Sequence, residues 1–142
     1  TPDLETPTRD DLLSFARYAE SFEHPDFTAG KYRPSEEIEP NTYTWPSWES
    51  SPLVSEWHQA LYDRHIMDPH SPYLDAQFAM RMGEFEANPS LLSGQNLSTI
   101  RTVLTYIARG DRFCEGLIAD MFEKGVAQAA TRRLVELGSA LD

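Results

Sequence analysis

The sequence predicts an all-α fold, a single-domain helical bundle of about five to six helices with a long aromatic and proline-rich loop between helices 1 and 2. Three observations predict it. Apolar residues recur at helical spacing in several separate segments. Capping residues open those segments, and glycines or prolines close them. With 142 residues, 40% of them hydrophobic and 11% aromatic, the chain has enough apolar surface for one core.

The elements follow in order. Residues 1–7 are expected to be flexible. Thr8 with Asp11 three positions later forms a capping-box-like start, and Leu12, Phe15, Ala16, Ala19 and Phe22 supply the stripe of a first helix. His24-Pro25 ends it. Residues 25–50 hold four prolines, a glycine, the acidic run Glu36-Glu37-Ile38-Glu39 and the aromatic cluster Tyr43, Trp45 and Trp48. They are read as a long surface loop, a kind of segment that in compact domains is usually functional or disordered.

Ser51 caps a second helix with Pro52 at its first position, where no amide hydrogen is needed, and Leu53, Val54, Trp57, Leu61 and Tyr62 line one face. The proline-broken stretch from His65 to Pro72 separates it from a shorter helix over Leu74 to Phe85, with Leu74, Phe78, Met82 and Phe85 on its stripe. Residues 96–138 read as a regular three-helix sub-bundle. Asn96 or Ser98 caps the first of these helices and Gly110 stops it. Phe113, Leu117, Met121 and Phe122 mark the second, with Gly125 as its left-handed C-terminal residue. Val126, Ala130, Leu134 and Leu137 mark the third, closed by Gly138.

Composition bounds the function. Residues 1–100 carry 17 acidic and 6 basic side chains, whereas residues 101–142 carry 6 of each, so the net charge of −11 resides in the first part. Such a surface repels phosphate backbones and makes nucleic acid an unlikely partner. The acidity fits either adaptation to high salt or a functional acidic face. The single Cys114 permits no internal disulfide, and no apolar run approaches the ~20 residues that span a bilayer, so a cytoplasmic protein without membrane attachment is expected. The start at Thr1 suggests a trimmed N-terminus.

The run Arg109-Gly110-Asp111-Arg112-Phe113-Cys114-Glu115-Gly116, followed by Gly125 and the Arg132-Arg133-Leu134 helix, resembles the C-terminal signature of the bacterial and archaeal family known as domain of unknown function 6508 (DUF6508). Ser51-Pro52-Leu53-Val54-Ser55-Glu56-Trp57 leading to Ala60-Leu61-Tyr62 is similar to its upstream helix. The resemblance spans roughly Leu12 to Leu137. It departs at His65 and at Asp68-Pro69-His70-Ser71-Pro72-Tyr73, where a glycine turn and an Asp-Trp-rich segment would be expected. It implies a prokaryotic helical domain and supplies no mechanism.

Two constellations could carry function. Arg109, Asp111, Arg112 and Glu115 surround a glycine at the expected start of a helix, where free amides and guanidinium groups would converge on an anion such as a phosphate or carboxylate. The same residues equally serve as cap and ion pairs that fix a helix angle. Tyr43, Trp45 and Trp48 offer large rigid contact area for a partner, or else anchor the long loop to the core. Cys114 reads as a buried apolar residue, and His65, Asp68 and His70 lack a defined metal-ligand geometry. No catalytic residue, metal ligand or cofactor is assigned, because neither paired catalytic groups nor a phosphate loop is present.

The reading is therefore a small non-enzymatic interaction or regulatory module that contacts a protein partner. Three alternatives stand beside it. One is a ligand-binding protein or enzyme using the Arg109–Glu115 turn. Another is an acidic mimic of nucleic acid. The third is a helix-turn-helix DNA-binding protein built on Ala119, Gly125, Arg132 and Arg133.

Overall fold

The computed structural model describes residues 6–45, 47–110 and 116–141. Among them are seven α-helices: α1 (Arg9–Leu13), α2 (Ala16–Phe22), α3 (Pro52–Asp63), α4 (Ala76–Ala87), α5 (Leu97–Gly110), α6 (Leu117–Glu123) and α7 (Val126–Ser139). A 3-10 turn, Pro89–Gly94, joins α4 to α5. Four short strands complete the set: β1 (Gly30–Arg33), β2 (Glu37–Glu39), β3 (Thr42–Tyr43) and β4 (Ser47–Ser50).

The caps form where local chemistry dictates. Thr8 and Asp11 satisfy each other's backbone amides in a full capping box. Ser51 accepts from the Val54 amide with Pro52 at the first helical position, and Asn96 rather than Ser98 receives the Thr99 amide at 2.9 Å. Gly125 adopts φ 84° between α6 and α7, as its left-handed assignment requires.

The apolar stripes meet in one cluster that draws on every helix. At its centre lies α7, which packs against α1, α2, α5, α6 and the 3-10 turn. Phe22, Trp57 and Phe122, from α2, α3 and α6, are buried with ring centroids 4.9–5.9 Å apart and near-perpendicular planes, the arrangement favoured by aromatic quadrupoles.

Four expectations need correction. Residues 25–50 are not a long loop, and the described chain is mainly helical rather than all-α, because β1 pairs antiparallel with β4 and β2 with β3. Prolines and glutamates masked strand alternation, but Pro40-Asn41, with Asn41 at φ 66°, has the residue pair and the positive dihedral that close a tight turn between two β-prone segments. The first predicted helix divides at Ser14 and Phe15 into α1 and α2. Leu74 precedes α4 and is exposed, so it lies off the core stripe. Gly138 does not end α7. It is buried inside the helix, where a Cβ would sit 2.9 Å from Leu12 Cβ, so glycine is what lets α1 approach α7.

Candidate functional site

The two strand pairs form one arm. Carrying the register of the outer ladder inward from Arg33↔Ser47 places Glu36 opposite Thr44 and Glu37 opposite Tyr43. Both pairings occur, the first through a Thr44 amide donating to the Glu36 carbonyl at 2.8 Å. The Ser35 and Thr44 hydroxyls reinforce this junction, Ser35 Oγ donating to the Thr44 carbonyl at 2.7 Å and Thr44 Oγ1 accepting from the Glu36 amide at 2.9 Å. The register shifts between Glu37 and Glu39, an irregularity in the ladder at the tip. All of residues 34–45 are exposed, and neither β2 nor β3 packs extensively on a helix.

The arm divides the predicted aromatic cluster. Successive side chains of a strand point to opposite faces, and in β4 Trp48 is half-buried toward the helices while Glu49 is exposed beside Lys31 at 3.9 Å. At the root, a Cβ on Gly30 would collide with the Glu49 carbonyl and lie 2.8 Å from Trp48 Cζ2, so only glycine admits the indole there. Trp45 is 89% exposed and Tyr43 58% exposed, so neither anchors the segment to the core. Trp48 alone has that position. Ile38, 62% exposed amid three glutamates, is a third exposed apolar side chain of the arm tip. It was missed in the sequence, although a lone isoleucine inside an acidic run was the available signal.

Of the anion-site candidates, Arg109 lies at the end of α5 with its guanidinium 5.8 Å from the Tyr73 ring centroid, within cation–π reach. Asp111, Arg112 and Glu115, like Cys114, lie outside the described residues. The arginines of the helix-turn-helix reading are engaged within the chain. Arg132 pairs with Glu23 of α2, and Arg133 donates to the Gln95 carbonyl at 2.8 Å and pairs with Glu136 at 3.5 Å.

Asp68 accepts from the His70 amide at 3.2 Å and organises the turn after α3. Among the described residues no group of three His, Cys, Asp or Glu side chains is placed to hold a metal ion, and no helix is long and apolar enough to cross a membrane.

Helices gathered round a shared aromatic core, with a two-tier β-arm inserted between the second and third, define a mainly helical protein with one projecting appendage. By sequence the chain belongs to the family described as "Family of unknown function (DUF6508)", which matches residues 7–139. No curated protein and no solved structure matches it.

Proposed function

We propose that the protein is an interaction module that uses the tip of its β-arm to dock on a protein partner bearing an apolar slot with a basic rim. The observation that carries this reading is the exposure of Trp45 at 89%, with Tyr43 and Ile38 also exposed, on an element that serves no core. Large aromatics left in water are the residues that dominate binding energy when a partner desolvates them. Charge completes the description. Residues 34–45 hold three glutamates and no basic side chain, so a basic rim would speed encounter and fix orientation.

The test compares the wild-type chain with a Tyr43→Ser, Trp45→Ser double variant. A protein recovered from the source cell by affinity capture is identified, purified and titrated with each. The reading expects the affinity to fall at least about tenfold in the variant and to weaken with salt, at unchanged melting temperature. Equal affinity for both chains overturns it. Self-association of the wild type that the double substitution abolishes overturns the separate partner in favour of a second copy.

A further inference from the structure

Helix α4 is apolar on two faces. Phe78, Met82 and Phe85 are buried in the core. Away from them, Ala76, Met80, Gly83 and Ala87 recur at spacings of four, three and four, and all four are exposed, Met80 at 75%. A surface helix needs one apolar stripe to meet its own core, and a second stripe calls for a second neighbour. Among the described residues, Gly83 has no neighbour that explains it. Glycine inside a helix weakens it, and Gly138 shows the usual compensation, the close approach of Leu12. At Gly83 no described atom lies within 4 Å of an added Cβ.

The face fits a second copy of itself. Its spacings place the four residues on the a and d rows of a heptad, and they read the same in both directions. Turned end for end, Met80 lies opposite the second copy's Gly83, and Ala76 opposite its Ala87. The one long side chain of the stripe thus enters the one gap in it. A parallel pair would set Met80 on Met80 and Gly83 on Gly83, crowding one level and leaving the other void. Charge agrees with the antiparallel arrangement. Gln77 and Glu84 border the stripe on one side, Ala79 and Glu86 on the other. Pairing brings Gln77 to the second copy's Glu84, a carboxamide donor to a carboxylate acceptor. It brings Ala79 to the second copy's Glu86, a residue that Lys124 of the same chain holds at 3.0 Å. No carboxylate of the flanks faces another.

We propose that two copies of the chain associate by antiparallel pairing of α4 about a two-fold axis, an isologous contact. A helix of 12 residues is about 18 Å long, so the interface is small and the dimer weak. Each copy carries a net charge of −11, so salt strengthens the contact by screening repulsion. That is the reverse of the salt dependence expected at the arm tip. The pairing uses no residue of the arm, so it stands or falls separately from the proposed docking surface.

Sedimentation velocity of the full chain is expected to show a monomer–dimer equilibrium with its midpoint between about 10 μM and about 1 mM. Raising salt from about 20 mM to about 500 mM should tighten it. Met80→Glu, at an exposed position that the core does not use, is expected to abolish dimers at an unchanged melting temperature of the dilute chain. Gly83→Ala is expected to weaken association at least about threefold while raising the melting temperature of the dilute chain. A one-to-one mixture of Met80→Glu and Gly83→Lys chains is expected to associate more tightly than either variant alone, because only antiparallel pairing sets the new glutamate against the new lysine. The proposal is overturned if the wild type stays monomeric up to about 1 mM, if Met80→Glu or Gly83→Ala associates like the wild type, or if the mixture gains nothing. Association that salt weakens, or that the Tyr43→Ser, Trp45→Ser substitution abolishes, belongs to the arm and overturns it as well.

Discussion

The indole N–H of Trp57 donates to Thr131 Oγ1 at 3.0 Å, and both side chains are fully buried where α3 meets α7. Thr131 passes the interaction on by donating to the Ala127 carbonyl at 2.7 Å. Thr131→Val preserves shape but leaves the indole proton without a partner in a dry core. The expected loss is about 1–3 kcal/mol of unfolding free energy, read from urea denaturation. The double variant Thr131→Val, Trp57→Phe should lose less than the sum of the single changes, because the two residues share one hydrogen bond.

Two helical glycines should respond oppositely to alanine. Gly83 in α4 has nothing within 4 Å of an added Cβ, so Gly83→Ala is expected to stabilise by about 0.5–1 kcal/mol through backbone entropy. Gly138 in α7 meets Leu12 Cβ at 2.9 Å, so Gly138→Ala is expected to cost about 1–3 kcal/mol by separating α1 from α7. Leu12→Ala would not relieve the clash, since alanine keeps the offending Cβ. Thermal melts of the two single variants decide the sign.

Arg101 fastens the turn after α3. Its Nε donates to the Ile66 carbonyl at 3.0 Å, and its Nη2 lies 3.3 Å and 3.2 Å from the carbonyls of His65 and Met67. His65 sits at φ 60°, an uncommon conformation for a residue with a side chain. Arg101→Met is expected to lose about 1.5–3 kcal/mol, and Arg101→Lys to recover little, because an ammonium cannot reproduce the planar fork. Hydrogen exchange should rise first at Asp68, whose amide donates to Thr105 Oγ1 at 2.9 Å in the same junction.

Lys124 stands between Asp120 at 2.9 Å and Glu86 at 3.0 Å, tying α6 to α4. Hydrogen bonds to Asp120 first and Glu86 second raise its pKa from the ordinary 10.5. A raised folded-state value means the contribution is complete below the unfolded pKa and disappears as pH climbs through the folded one. The melting-temperature difference between wild type and Lys124→Gln should therefore be small and flat from neutral pH up to 10.5, then shrink above it. A difference that grows above that value would contradict the assignment.

Much of the helical layer was legible because its signals are local. The capping box at Thr8, the Ser51-Pro52 start, the Asn96 cap and the left-handed Gly125 each act within a few residues. Trp57, Met82 and Leu104 are buried as the spacing of their stripes demands, whereas Tyr62, placed on the stripe of Trp57, is 41% exposed. Gly138 could not be read in the same way. A glycine near a helix end suggests a stop, and only the crossing of α1 over α7 reveals that it is there for close approach.

By itself the sequence determined the helical character, the capped helix starts at Thr8, Ser51 and one of Asn96 and Ser98, and the presence of three tryptophans, because periodicity and caps are written in neighbouring residues. Tertiary structure decided which tryptophan does what. Trp57 enters the core, Trp48 closes the root of the arm and Trp45 stands in water. That sorting depends on a ladder between residues 30–33 and 47–50. Strand pairing joins groups distant along the chain, and no local pattern in a proline-broken acidic segment records which of its faces will meet a helix.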